Sequence, residues 1–160
     1  MNKKQVAVYR RLKEQLPDET SVYSSIQAYA KEVVAEHEDW ELAGIYLDEG
    51  GVKAREGFER LLLDCKTGKI DVILAQSTSR FGRNAIEAVD TALTLSWQKP
   101  PVGVVFQDEK LDSLVPDEFD KLYYIGLKAA MDKRVHSCAM RYSHAIRKHR
   151  RQLEQRGVVQ

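Results

Sequence analysis

The chain has 160 residues, of which 43% are hydrophobic and 31% charged, and this suits one domain with a core of ordinary size. No stretch approaches the roughly 18 apolar residues of a membrane span, and no signal-peptide core follows the basic N-terminus. The net charge of +1 neither favours nor excludes a nucleic-acid partner. Cys65 and Cys138 lie outside any metal-ligand spacing, so we interpret both as reduced packing residues, expect no metal site, and expect a cytoplasmic protein.

Strands and helices are predicted to alternate along the chain. Short β-branched runs predict strands at residues 5–9, 40–46, 70–75 and 102–106. Helical periodicity predicts helices at about residues 22–38, 56–66 and 85–96, and a long one from Pro116 to about residue 155. The pattern predicts an α/β fold with a mostly parallel sheet of four to five strands flanked by helices. We expect a core at residues 1–115 and the long C-terminal helix at residues 116–157 of the same domain.

Polar segments follow the predicted strands at residues 10–13, 48–55, 76–83 and 107–112. The carboxyl ends of parallel strands meet at one edge of a sheet, so these segments should converge. The first three carry arginines: Arg10, Arg11, Arg55, Arg80 and Arg83. Guanidinium groups bind phosphate oxygens bidentately and keep their charge. Together they would neutralise a phosphodiester and its transition state, although each one alone could equally be a surface or ion-pairing residue.

The long helix is basic and partly apolar. Residues 133–152 contain seven Lys or Arg, three His and no Asp or Glu, which favours a polyanionic partner. A charge run alone is weak support, because most such runs are solvated faces. Six apolar residues could face either a partner or the chain's own sheet, namely Leu122, Ile125, Ala129, Met131, Val135 and Met140.

Three motif blocks resemble the catalytic domain of the serine site-specific DNA recombinases, the resolvase/invertase family. Residues 6–13 (VAVYRRLK) are similar to the family's opening strand and match it at Tyr9 and Arg11. Residues 46–58 (YLDEGGVKAREGF) match it at Asp48, Glu49, Gly50, Arg55 and Phe58. Residues 68–84 end in the run SRFGRN, the most specific block. The resemblance covers about residues 4–155.

The resemblance implies a serine that attacks a DNA phosphodiester, no metal and no cofactor. Arginines at Arg11, Arg55, Arg80 and Arg83 would surround the phosphate. Supporting positions are implied at Tyr9, Gln27, Asp48, Asp71, Ser79 and Asp132. The long helix would build a homodimer or tetramer and then cross the DNA minor groove. Backbone contacts are then expected from Arg147, Lys148, Arg150 and Arg151.

The nucleophile position departs from the family, since Lys13 stands where the serine is expected. Lysine has no hydroxyl and cannot form the phosphoserine-type linkage, but it can hold a phosphate as a point charge. Gln76 replaces a frequent lysine, and Val52-Lys53 replaces the usual Ser-Gly. These departures suggest relaxed catalytic demand.

Three interpretations remain open. The favoured one is a catalytically degenerate, recombinase-like domain that binds DNA without cutting it. The second is an active recombinase or integrase, or the excised catalytic domain of one. The third is an unrelated flavodoxin-like domain, although no Gly-rich phosphate loop follows the first strand. Ser21, Ser24 and Ser25 are interpreted as helix caps or helix-surface residues. A DNA-reading domain usually follows in the family, so we expect an excised domain or a protein that reads no sequence itself.

Overall fold

The computed structural model describes residues 2–12, 19–50 and 55–155. The strands are β1 (Lys4–Leu12), β2 (Trp40–Glu49), β3 (Val72–Ala75), β4 (Gly103–Phe106) and β5 (Leu111–Asp112). The helices are α1 (Glu19–Ala35), α2 (Glu56–Lys66), α3 (Thr78–Phe81), α4 (Ala85–Ser96) and α5 (Pro116–Gln155). The chain divides into two compact units, Met1–Gly126 and Leu127–Gln160, with the boundary inside α5.

The first unit contains a five-stranded sheet in the order β2-β1-β3-β4-β5. The first four of these strands run parallel, and β5 runs antiparallel to β4. The Ser113 hydroxyl accepts a hydrogen bond from the Val104 N–H at 2.8 Å, which ties the segment after β5 to β4. The predicted α/β fold with a mostly parallel sheet and a long C-terminal helix is therefore confirmed.

Alternating side chains of the central strands pack on opposite faces of the sheet. Val6 and Val8 of β1 contact α1 through Ala30 and Val34. Ala7 and Tyr9 belong to the larger core on the other face, where α2, α3, α4 and the first turns of α5 pack. This alternation decides where Arg10 and Arg11 point at the end of β1, because neighbouring strand residues face opposite sides.

Two helix boundaries agree with the predictions because local signals set them. Gly68 has a positive φ of 75° and follows the end of α2. The Gly68 N–H donates to Cys65 O at 3.2 Å and the Lys69 N–H to Asp64 O at 3.0 Å, which is a Schellman motif. At the start of α4, the Asn84 side chain accepts from the Glu87 N–H.

Other boundaries differ from the predictions because tertiary pairing overrides the local pattern. β1 and β2 extend to Leu12 and Glu49, so Arg10 and Arg11 lie in a strand and not in a loop. The polar segment predicted at residues 76–83 contains the short helix α3. α1 begins at Glu19 and ends at Ala35, a few residues earlier than expected.

The long helix α5 changes character along its length. Leu122 is fully buried in the sheet core and Ile125 packs against that core, so these two residues face their own sheet. Every side chain from Met131 to Gln152 is exposed in the second unit. No helix within the described residues has the length and apolar character needed to span a membrane.

Candidate functional site

The carboxyl edge of the sheet brings Arg11 and Arg80 together. Arg11 lies near the end of β1 and donates from Nη2 to the carbonyl oxygen of Ser79 at 2.8 Å. Arg80, in α3, donates from Nη1 to the carbonyl oxygen of Arg11 at 3.4 Å. Each guanidinium therefore contacts the backbone beside the other arginine. These reciprocal bonds fix both side chains at the edge and leave part of each donor fork available to a ligand.

Asp48 is a buried anchor beneath this edge. Its carboxylate accepts hydrogen bonds from the Tyr9 hydroxyl at 2.8 Å, the Gly57 N–H at 2.7 Å and the Phe58 N–H at 3.0 Å. The two N–H groups lie in the first turn of α2, whose N-cap residue, Arg55, supplies no side-chain cap. Asp48 therefore caps α2 from β2 and complements the helix dipole.

Tyr9 joins Asp48 to the aromatic part of the core. Its ring makes edge contacts with Phe58 and Phe81, at centroid distances of 5.4 and 5.9 Å. Burial, followed by the hydrogen bond to Asp48, raises the pKa of Tyr9 well above its ordinary value. The phenol therefore stays protonated at neutral pH and donates to Asp48. Tyr9 and Asp48 support the edge, and neither side chain is exposed on its surface.

Arg55 has its fork occupied within the protein. It forms an ion pair with Glu87, donates from Nη2 to the Phe81 carbonyl oxygen at 3.2 Å, and lies 3.9 Å from the centroid of the Phe58 ring. Its side chain is 7% exposed, compared with 32% for Glu87. Its Nε is buried and has no hydrogen-bond partner within the described structure. Glu87 therefore lies on the solvent side of the pair.

Glu87 also shapes the segment that carries Arg83. Its second carboxylate oxygen accepts from the Arg83 N–H at 2.9 Å, and its own N–H donates to Asn84 Oδ1 at 2.9 Å. Burial raises the pKa of Glu87, but hydrogen bonds from Arg55 and Arg83 and their charges outweigh it and lower the pKa overall. The carboxylate is therefore ionised at neutral pH. Sequence reasoning missed Glu87, although the Asn84-x-x-Glu87 spacing is that of a capping box.

Arg83 is a further exposed arginine, three residues after Arg80. Its side chain is exposed beyond Gly82, where a Cβ would collide with the Ala88 backbone nitrogen at the start of α4. In the residues that the structure describes, no carboxylate lies within 4 Å of the guanidinium nitrogens of Arg11, Arg80 or Arg83. The guanidinium groups of Arg11 and Arg80, which the structure brings together, can neutralise a phosphate oxyanion.

The contacts of Arg10 and Glu109 at this edge were not predicted. Arg10, on the α1 face, donates from Nη2 to Gln107 at 2.8 Å and lies 5.0 Å from the centroid of the Tyr29 ring. Glu109 accepts from the Thr78 N–H at 3.0 Å and from the Thr78 hydroxyl at 2.7 Å, at the start of α3. The segments after β1, β3 and β4 therefore converge, as the strand order requires.

The other candidate residues are distributed more widely. Ser79 is exposed at the edge and its hydroxyl lies 3.1 Å from that of Ser77. Asp71 lies at the amino edge of the sheet, where its carboxylate accepts from the Gln5 N–H at 2.7 Å, so it is separated from the arginines by the length of β3. Gln27 is half-buried on α1, and Gln76 is exposed after β3.

Lys13, Val52 and Lys53 lie outside the described residues. Ser24 and Ser25 donate to the carbonyl oxygens of Thr20 and Ser21, one turn earlier in α1, at 2.8 and 3.0 Å. Both are exposed helix-surface residues, and Ser21 lies in the same helix.

The remaining candidates lie on α5 in the second unit and are all exposed, namely Asp132, Arg147, Lys148, Arg150 and Arg151. Arg147 donates from Nε to the Ser143 carbonyl oxygen at 3.4 Å, within its own helix. The guanidinium and ammonium groups of this segment are thus presented along a single helix and are not built into a sheet edge.

The fold is a mostly parallel α/β sheet with arginines at its carboxyl edge. The family described as Resolvase, N terminal domain, matches residues 8–155. The chain therefore belongs to the resolvase family of serine site-specific recombinases, and the resemblance seen in the sequence motifs is confirmed. No curated protein sequence matches the chain.

Solved structures of recombinase catalytic domains share the fold. A resolvase family site-specific recombinase from Streptococcus pneumoniae is 25% identical, with a TM-score of 0.65 over 92% of this chain and 99% of that one. The N-terminal catalytic domain of TP901-1 integrase is 16% identical, with a TM-score of 0.59 over 82% and 98%. The C-terminal catalytic domain of ISC1926 TnpA, an IS607-like serine recombinase, is 14% identical, with a TM-score of 0.50 over 64% and 70%.

Proposed function

We propose that this chain is a recombinase-type domain that holds the DNA backbone without cutting it. The observation that carries the proposal is the pair of guanidinium groups on Arg11 and Arg80, which lie together at the carboxyl edge of the sheet and form no ion pair in the described structure. The exposed Arg83 follows Arg80 by three residues. Unpaired cations fixed at one edge favour an anionic ligand, and DNA is the partner that the family implies.

From the residue at position 13, which is Lys13, we infer that the domain does not cut DNA. A serine recombinase needs a hydroxyl at this position, and an amine cannot form the phosphoserine-type linkage. The hydroxyls of Ser24 and Ser25 donate to backbone carbonyls in α1, which leaves them unsuited to replace the nucleophile. Lys13 adds one more cation to the segment after β1, and this favours binding over attack.

The exposed part of α5 supports a second contact with DNA and a homodimer or tetramer. Beyond Gly126, the helix exposes six large apolar residues, namely Leu127, Met131, Val135, Met140, Tyr142 and Ile146. Unpartnered apolar residues on an exposed helix favour association. In this proposal Asp132 lies in the oligomer interface. The basic residues from Arg147 to Arg151 then contact the DNA backbone. A cytoplasmic location follows from this role.

Salt-dependent binding tests the grip on DNA. We expect the full chain to bind a labelled duplex of arbitrary sequence, measured by fluorescence anisotropy between about 50 and 200 mM salt. Arg83→Gln should reduce the slope of log affinity against log salt by about 0.9, because one phosphate contact is lost. Lys66→Gln is the matched control, since it removes one exposed cation from the last turn of α2, away from the arginine edge. Equal effects of both variants, or no binding by the wild type, would contradict the proposal.

A further inference from the structure

Glu87 occupies the position at Arg55 that an anionic ligand would take. Its carboxylate pairs with Nη1 of Arg55, and Nη2 is bonded to the Phe81 carbonyl oxygen. The Phe58 ring covers one face of the guanidinium, and the side chain is 7% exposed. A phosphate therefore has no free path to the Arg55 fork while Glu87 stays in place.

Of the pair formed by Arg55 and Glu87, the geometry makes Glu87 the charge that a ligand meets first. It is the more exposed partner of the pair, and its other oxygen accepts from the Arg83 N–H in the segment that presents Arg83. A phosphate approaching Arg83 therefore comes close to an ionised carboxylate. The two negative charges repel, so Glu87 weakens phosphate binding directly. It also weakens binding because it keeps the Arg55 guanidinium away from the phosphate.

We propose that Glu87 is a built-in competitor of the DNA phosphate, and that it determines how many arginines of this edge engage the backbone. This inference rests on the proposed function and deepens it. While Glu87 is paired with Arg55, the phosphate is bound by Arg11, Arg80 and Arg83, and Arg55 only stabilises the fold. Removal of the Glu87 charge releases Arg55 as a fourth phosphate ligand.

The alternative role for Glu87 is that of a positioning residue, which holds Arg55 and Arg83 ready for phosphate. The two roles predict opposite signs. A competitor that is neutralised increases DNA affinity, whereas a positioning residue that is lost decreases it. The sign of the change in affinity therefore decides between them.

The experiment measures anisotropy of a labelled duplex with the full chain and its Glu87→Gln variant. Glutamine is nearly the same size and can still accept from the Arg83 N–H, but it carries no charge. We expect affinity to increase roughly tenfold at low salt and the salt slope to steepen by about 0.9, since one more phosphate is neutralised. The gain should disappear in the double variant Glu87→Gln/Arg55→Gln, because it depends on the freed guanidinium.

Asp90→Asn is the matched control. Asp90 is exposed on the same helix and its substitution changes the net charge by the same amount, but its side chain forms no ion pair with Arg55 in the described structure. We expect Asp90→Asn to increase DNA affinity only slightly, and we expect this increase to remain when Arg55→Gln is added. An equal gain from Asp90→Asn, or a loss of affinity in Glu87→Gln, would overturn the inference.

Failure of the inference can be told apart from failure of the proposed function. Salt-dependent binding by the wild type with no change in Glu87→Gln overturns the inference alone. Absence of binding in both proteins overturns both. If Glu87→Gln does not fold by circular dichroism, Glu87→Asp weakens the same ion pair with a shorter side chain. It should give a smaller gain in affinity that also requires Arg55, and a loss would contradict the inference.

Discussion

The carboxyl edge of the sheet and the exposed part of α5 are both cationic, but they carry their charges differently. At the edge, Arg11 and Arg80 are half-buried, Arg11 donates to the Ser79 carbonyl oxygen and Arg80 to that of Arg11. Arg55 is buried against Glu87. On α5, every side chain from Met131 to Gln152 is exposed. The first arrangement can orient a single phosphate, whereas the second can only attract a charged backbone. The two regions should therefore respond differently to substitution and to salt.

The largest effect on DNA affinity should come from the helix. Replacement of Arg147, Lys148, Arg150 and Arg151 by alanine removes up to four phosphate contacts, each with a slope of about 0.9. We expect affinity to fall by roughly a thousandfold or more near 100 mM salt, with no loss of fold because all four side chains are exposed. Anisotropy titrations across a salt series measure this change. An unchanged slope would show that the helix does not contact DNA.

The largest effect on stability should come from the edge. Asp48→Ala leaves the Tyr9 hydroxyl and two N–H groups of α2 without their acceptor. We expect a loss of about 3 kcal/mol in the free energy of unfolding, measured by urea denaturation. Glu49→Ala, one residue later in β2, is the control and should change stability by less than about 0.5 kcal/mol. Similar values for both variants would contradict the role of Asp48 as a cap.

The difference between the regions also explains what the sequence could predict. The bounds of α2 and α4 follow from Gly68 and Asn84, which are local signals at the helix ends. The strand ends at Leu12 and Glu49 were missed because their pairing depends on residues far away in sequence. The basic segment of α5 could be predicted from the sequence alone, because exposed charged residues do not depend on tertiary contacts.

The candidate site was predicted only in part, because some of its contacts join residues that are far apart in sequence. Strand order places Arg11 and Arg80 at one edge, so their proximity could be expected from the alternation of strands and helices. The pairing of Arg55 with Glu87 joins residues 32 positions apart, and no periodicity reveals it. Asp71 was grouped with the arginines from the motif blocks, yet it bonds to Gln5 at the opposite edge. Family motifs indicate which residues matter but not which contacts they make.

A smaller effect on stability is expected from Cys65, which lies in the first unit, and not from Cys138, which lies in the second. Burial raises the pKa of Cys65 to about 12, and the charge of Asp64 adds to the shift. The folded protein then keeps a proton that the unfolded chain loses near pH 9. This contribution to stability is complete below about pH 9 and is lost as the pH rises towards 12. We expect Cys65→Ala to flatten the alkaline loss of stability in urea denaturation, on top of a constant packing penalty.

The exposed Cys138 offers the matched comparison. In native protein at neutral pH, a thiol reagent such as Ellman's should react with Cys138 and leave Cys65 unmodified, with Cys138→Ser as the control. Reaction of both thiols at equal rates would show that the core around Cys65 opens readily. If Cys65→Ala loses stability at alkaline pH as steeply as the wild type, the raised pKa of Cys65 does not contribute to that loss.

The central claim is that the chain binds the DNA backbone and lacks the nucleophile to cut it. The most direct measurement incubates the protein with supercoiled plasmid carrying a candidate site, stops the reaction with detergent and looks for covalently attached protein. We expect the wild type to leave the plasmid intact without an adduct. We expect Lys13→Ser to produce an adduct at a 5′ end, with Arg11→Ala in the same background abolishing it. An adduct or a nicked product with the wild-type protein would contradict the claim.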